Sequence, residues 1–573
     1  VGCKTDPTPQ QQVDFKRTGN SVAVQLNADV RVINPVVANS IYDMQVVYQV
    51  YSYLAGYTLD GATLTPELLK SIPEIRTEDD SSKPGRYAVD FEILEEAVWP
   101  NGSPVTGLDY EFMMKTVFNP LVNAIRYRGQ LTGVLTGIEI DGENPKKFTV
   151  YADEVSILTL ENLVNTLPVV PAYVGDPEGT LEDIQLADLL DPDKAEALAS
   201  SNQALQDFAE KYNSTTFQKE IANIVGSGPY SVVDWVDGQR VTLQRKSDWW
   251  GDKVSEETHP LLVAYPDEIV YKPIADPNTA LAALKAEEID ALSRFSPAEF
   301  ESMQADSTGL RYDLEAVNSF SWFFISINTD NPKLSDKRVR KALTYAFDVN
   351  EILNKLFLGY GTRVTSPVHP TQVHYNEQLK LIEQDFDQAK SLLAEAGWED
   401  TNDNGIVDKE IEGERVELSL EFTASPRETS KNMGLIFKES ARQIGVEVEV
   451  VQAPISSYFS KWRNKEYELF SAGSSITPVW NPRQSWHSEG DNRTGFGNAD
   501  TDALIDEILV TLDENKRMQL YNELQTIIAD EQPVIFLFTP KTTVAVHDRF
   551  EWTPLVSPPC FDPRFFKLKE SFQ

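Results

Sequence analysis

Five histidines, two cysteines and one run of acidic and amide side chains are the groups in this sequence best suited to chemistry. The histidines are His259, His369, His374, His487 and His547, and none pairs as HExxH or at another helical ligand spacing. Cys3 and Cys560 form no CxxC metal or redox motif. No GxSxG elbow raises a serine nucleophile, and no GxxxxGK[ST] loop cradles phosphate. Gly226-Ser227-Gly228-Pro229 has the wrong glycine spacing for a dinucleotide, and its proline lacks a donor. A hydrolase would have to draw on unmarked carboxylates, most of which a solvated surface explains. Asp400-Thr401-Asn402-Asp403-Asn404-Gly405-Ile406-Val407-Asp408 sets oxygen ligands at positions 1, 3, 5 and 9 of a calcium loop, with Gly at 6. Ile411 stands where that loop needs a bidentate carboxylate, and a glycine-bearing turn explains the same residues without metal. No metal site and no cofactor are expected.

The elements that must position these groups are interleaved helices and strands. Ser335 can cap a helix carrying Val339, Leu343, Ala346 and Phe347 at helical spacing, and Asp348 can cap another through Leu356. Trp322 to Ile327 reads as a buried strand. A helix is expected over Ser430 to Gln443, with Gly445 turning the chain into the alternating strand Val446 to Val450. Met518, Tyr521, Leu524 and Ile528 form a helical apolar face that stops before Pro533, and Val534 to Phe538 reads as a core strand. The fold class is α/β with mixed sheets.

A chain of 573 residues exceeds one ordinary core. With 41% hydrophobic residues, including 27 Phe, 21 Tyr and 10 Trp, it folds into two or three domains and is not disordered. The 89 acidic residues outweigh 51 basic ones, and a net charge of -38 repels nucleic acid and anionic membranes. No run of about 20 apolar residues spans a bilayer as a helix. Val1-Gly2-Cys3 precedes a polar, proline-bearing tether. It looks like the end of a lipoprotein signal whose cysteine is acylated. Cys560 reads as a small buried residue, with a Cys3 to Cys560 bridge as the alternative if Cys3 carries no lipid.

Several segments, in one order, resemble the extracellular solute-binding proteins of family 5, which include oligopeptide-, dipeptide- and nickel-binding proteins. The first is Ala97-Val98-Trp99-Pro100-Asn101-Gly102-Ser103-Pro104-Val105-Thr106. The most specific is Gly226-Ser227-Gly228-Pro229-Tyr230 with Asp234-Trp235, then Val241-Thr242-Leu243-Gln244-Arg245 and Asp248-Trp249-Trp250-Gly251. Asp276 to Ala286 with Ile289-Asp290, Ile327-Asn328-Thr329 with Asp336 to Ala342, and Ala389 to Gly397 follow.

The resemblance implies a two-lobed, periplasmic-binding-protein-like fold of three structural domains. One lobe would take residues 1–52, 216–294 and 537–573, with an inserted domain 53–215 packed on it. The second lobe would be 295–536, with crossovers near Phe295 and Phe536. It further implies a monomeric, periplasmic or cell-surface lipoprotein anchored through Cys3. Such a protein captures a small solute, with peptide the leading class, and hands it to the permease subunits of an ABC importer without catalysis. An oligosaccharide or a metal chelate is the alternative ligand, and a carboxylate-based hydrolase the alternative class. The family's cleft contacts carry over to Val36–Ser40, to Trp322, to the segment Ala424 to Thr429 with Arg427, and to the stretch after Glu468–Ala472. That stretch supplies Ser474, Ser475, Thr477, Trp480 and, beyond it, Trp486. Arg427 and Arg493 suit a carboxylate if they face the cleft. Many peptide-binding relatives hold the ligand ammonium with an Asp where this chain has Thr477-Pro478, so the resemblance supplies no carboxylate at this position for a free N-terminus.

Overall fold

The computed structural model describes residues 19–306 and 311–572, and the expected acylation site at Cys3 lies outside them. One long strand, Val534–His547, organises the largest sheet. Its first half pairs antiparallel with Ser321–Ile327, and its second half with Ala291–Ser293 and Tyr312–Asn318. From Ser321–Ile327 the sheet continues through Leu469–Ser475 and Ser419–Ala424 to Glu447–Gln452. From Ala291–Ser293 it continues through Ser21–Leu26, Glu268–Pro273 and Arg240–Arg245 to Tyr230–Val236. The sheet contains both parallel and antiparallel pairs, and helices pack against the strands, so the class is mixed α/β. A separate four-stranded sheet is formed by Ile75–Thr77, Tyr87–Glu92, Lys147–Ala152 and Gly137–Ile140.

The apolar residues gather on either side of the middle of Val534–His547. One core joins Val22, Val24 and Ile269 to Phe91, Tyr110 and Val150. Another joins Ile325 and Leu343 to Phe422, Phe437 and Leu537. A third surrounds Trp322, Trp480 and Tyr521.

Local sequence explains most of the elements. The helix Lys337–Ala346 is capped by Asp336, whose carboxylate accepts the Arg338 N–H, and not by Ser335 as expected. The Ser335 hydroxyl donates to the Pro332 carbonyl instead, at 3.2 Å. Asp348 caps Val349–Phe357 as expected. The helix Glu428–Arg442 gives way to Gly445 at φ 76°, a conformation glycine adopts without strain, and then to the strand Glu447–Gln452.

The family-like turn Gly226-Ser227-Gly228-Pro229 is scaffold. The Gly228 N–H donates to the Val50 carbonyl at 2.9 Å, and a Cβ on Gly226 would lie 2.1 Å from that same oxygen. Trp249 and Trp250 both donate their indole N–H to the Ser227 carbonyl. Lys246 Nζ donates to the carbonyls of Gly226 and Gly228, 2.6 Å each, and burial pulls its ammonium down to about 7. The calcium-like loop is likewise committed to itself. The Asp400 carboxylate accepts the N–H of Asn404 and Gly405, and Asp408 accepts from Thr401 and pairs with Arg415. Among the described residues no group of three His, Cys, Asp or Glu is placed to hold a metal ion.

Candidate functional site

The strand Leu469–Ser475 is buried from Leu469 to Ser471 and exposed from Gly473 to Ser475. Its exposed end divides two adjoining cavities, of about 480 and 530 Å³. Trp322, Tyr458, Phe459, Ser474 and Ser475 border both. Antiparallel pairing brings Trp322 opposite Ser474, and Phe323 opposite Gly473. A Cβ on Gly473 would meet the Phe323 ring at 2.8 Å, so the second pair requires glycine.

Every residue carried over from the stretch after Glu468–Ala472 faces the 480 Å³ cavity: Ser474, Ser475, Thr477, Trp480 and Trp486. The tryptophans are walls more than platforms. Trp322 stacks on Phe324 at 4.2 Å and on Phe536 at 5.6 Å. Trp480 packs on Tyr521 and lies parallel to His374, with ring centroids 5.2 and 6.4 Å away, and only 7% of it is exposed. Trp486 meets Phe496 edge-on. Gln372 fixes the turn above them by donating to the carbonyls of Thr477 and Pro478, at 2.8 and 3.0 Å. The Thr477 hydroxyl is itself spent on the Val479 carbonyl. Among the described residues the carboxylate lining this cavity is that of Asp491, paired with Arg493 at 3.1 Å, and Arg493 also donates to the Arg463 carbonyl.

Arg427 lines the 530 Å³ cavity, on the other side of the strand end. It precedes the helix Glu428–Arg442 as its N-cap residue, and no side chain caps that helix. The expected loop Val36–Ser40 borders neither cavity. Val36 and Ala38 are buried in the first core, and Ser40 caps the helix Ile41–Val50.

Arg294, Ile455, Tyr458 and Phe459 are among the lining residues that were not anticipated. Ile455 and Phe459 are half exposed, an uncommon state for large apolar side chains unless they border a binding surface. Tyr458 is anchored by its hydroxyl, which donates to the Ser471 carbonyl, and burial pushes that phenol up to about 12. A signal was present in Ile455, Tyr458, Phe459 and Trp462, whose spacings cover more than the single face a core requires.

Comparison with known proteins places this architecture. The bacterial extracellular solute-binding proteins, family 5 (middle region), match residues 63–495. The oligopeptide-binding protein AppA of Bacillus subtilis is 27% identical over 335 residues, 57% of this chain and 59% of that protein. The dipeptide-binding protein of Escherichia coli is 22% identical over 336 residues, 56% of this chain and 57% of that one. The chain therefore spans less than two thirds of the length of either relative. Among solved structures, Bacillus subtilis AppA in complex with a nonapeptide superposes with a TM-score of 0.69 at 21% identity, covering 96% of this chain and 99% of that one. NikA from Brucella suis in complex with Fe(III)-EDTA superposes with a TM-score of 0.73 at 20% identity, covering 96% and 100%. By this match over most of its length, the chain belongs to the bacterial extracellular solute-binding proteins of family 5.

Proposed function

We propose that this chain is the substrate-binding component of an ABC importer and that it captures peptides in the cleft around Gly473–Ser475, without catalysis. The observation that carries this reading is the pair of adjoining, aromatic-walled cavities at the end of one strand. They are edged by hydroxyls and by the exposed backbone of Gly473–Ser475. Such a cleft pairs with ligand backbone through strand-like groups and leaves room for hydrated side chains. With Thr477 committed to the Val479 carbonyl, Asp491 is the carboxylate we assign to a ligand ammonium. An oligosaccharide would need open aromatic faces, and those of Trp322 and Trp480 pack on other rings. The Cys3 anchor, the monomeric state, the permease partner and the periplasmic or cell-surface location belong to this reading.

The domain division 1–52, 216–294 and 537–573, with 53–215, against 295–536, is the frame we propose for closure. Within that frame we place the pivot by strand pairing. Tyr312–Asn318 still pairs with the second half of Val534–His547, and Ser321–Ile327 with the first half. The passage from one half to the other is thus Ser319–Phe320, and the matching passage is Pro540–Thr542, the half-buried middle of the long strand. Solute stabilises the closed form only by binding it better than the open one.

Calorimetric titration with di- to pentapeptides, their N-acetylated forms and short oligosaccharides tests the reading. Peptides should bind, and Asp491→Asn should weaken free peptides more than acetylated ones. Binding of oligosaccharides alone would overturn it.

A further inference from the structure

We propose that the 530 Å³ cavity is an anion subsite, in which Arg294, Arg427 and the open N-terminus of the helix Glu428–Arg442 take a carboxylate of the ligand. The proposal rests on the peptide-binding reading and names the end of the ligand that selects it.

The charge lining this cavity runs against the whole molecule. The chain carries 89 acidic residues in 573 and a net charge of -38, yet none of the eighteen residues around the cavity is Asp or Glu, and two are Arg. An average stretch of this chain would place nearly three carboxylates there. Most guanidinium groups elsewhere are engaged: Arg338 on Asp336, Arg340 on Glu531, Arg483 on Asp506 and Arg549 on Asp290. Neither Arg294 nor Arg427 has such a carboxylate partner among the described residues. A guanidinium left without an anion beside a cavity presents its fork to whatever enters.

The helix adds a second, independent donor. It is fifteen residues long, and its N-cap residue is Arg427, whose side chain does not cap it. The Ser430 N–H donates to the Arg427 carbonyl, while those of Glu428 and Thr429 keep capacity for an acceptor, and the helix dipole favours negative charge. Thr429 of that first turn also lines the cavity.

The two arginines reach the cavity from opposite sides of the pivot. Arg294 sits at φ 64°, where its N–H donates to the Thr543 carbonyl at 2.8 Å, and the Thr543 hydroxyl donates to the Phe295 carbonyl. It is thus fixed to the second half of Val534–His547. Arg427 belongs to the helix that packs on Ser419–Ala424 and Glu447–Gln452, in the other half. A carboxylate bound between them contacts both halves only when they approach. That is the differential interaction ligand-driven closure requires.

The test compares tri- to pentapeptides as free acids and as C-terminal amides, with succinate and inorganic phosphate as separate arms. It uses the full chain and the variants Arg294→Gln, Arg427→Gln and both together. Both side chains are exposed, so the variants should keep the wild-type circular dichroism spectrum. Free acids should bind at least tenfold more tightly than amides, and that preference should shrink in each single variant and vanish in the double one. Equal binding of acid and amide, or a preference that survives in the double variant, overturns the subsite. Phosphate or succinate binding that needs both arginines, with no peptide bound in either form, upholds the subsite while removing the peptide reading. Indifference of every probe to both arginines overturns the subsite whatever the ligand class.

Discussion

His374 lies against the wall of the cleft, its ring parallel to Trp480 and 5.0 Å from Tyr521, and its Nε2 is buried without a partner. Burial, with a smaller push from Arg517, pulls its imidazole down to about 4, and burial does the same to His369. The folded protein therefore holds both rings neutral, while the unfolded chain protonates them near 6.5. Such groups stabilise the fold fully above pH 6.5, and that contribution is lost as pH falls from 6.5 toward 4. For His374 the full shift corresponds to roughly 3 kcal/mol. We expect melting temperature to drop between pH 7 and 4.5, and His374→Gln to flatten that drop. Calorimetric melting at three pH values decides it, and parallel curves for wild type and variant would count against the role of His374. In the folded protein the His374 ring stays neutral until pH nears 4, so the cavity wall at Trp480 should keep its packing while stability falls.

At the scale of elements, the glycine turn at Gly226–Pro229 gives a sharper expectation. A methyl on Gly226 would fall 2.1 Å from the Val50 carbonyl, a backbone atom at the end of the helix Ile41–Val50. Gly226→Ala should destabilise by about 3 kcal/mol, at the upper end of what overpacking usually costs. Gly129, inside the helix Ile125–Leu131, has nothing within 4 Å of its added Cβ. Gly129→Ala should therefore be neutral or stabilising by up to about 1 kcal/mol. Urea unfolding midpoints check both, and similar midpoints would refute the contrast. This turn was legible in the sequence because each residue in it is forced by a close backbone approach or a fixed hydrogen bond. The long strand was legible only to Phe538, because Pro540-Lys541-Thr542 interrupts its apolar run before Val544 resumes it. The cleft was half legible. Trp322, Ser474 and Trp480 sit on or beside a strand the resemblance could locate, and they line the cavities. Arg294 reaches its cavity from the exit of the strand Ala291–Ser293, far from the others in sequence. Only the pairing of Val534–His547 brings it near, and no local pattern encodes that.

At the scale of the whole molecule, the two halves of the frame proposed for closure are joined by two short connections, the buried Ser319–Phe320 and the half-buried Pro540–Thr542. Val534–His547 is buried at Val534–Thr539 and Thr543–Val546 and half-buried between, and Pro540 brings no N–H to the ladder at that point. Ser319–Phe320 separates two strands that pair with different halves of it. Away from these, Ile157 makes a direct contact with the segment around Leu509. The Ile157 N–H donates to the Leu509 carbonyl at 2.8 Å, and Ile157 packs against the cluster around Trp322 and Trp480. Bending at two short connections, with packed cores on each side, is hinge motion and not shear. Peptide shown by calorimetry to saturate the protein should therefore reduce the radius of gyration measured by X-ray scattering. Amide hydrogen exchange should change at residues 319–320, 541–542 and 157, and little within the strands Ser21–Leu26 or Ser419–Ala424. The Arg294→Gln and Arg427→Gln double variant extends the argument. If an anion held by both halves drives closure, that variant should still bind a peptide amide weakly yet contract less than wild type with the free acid. A radius that stays constant in the saturated wild type, or exchange that slows evenly through both cores, would show that these connections do not act as a hinge.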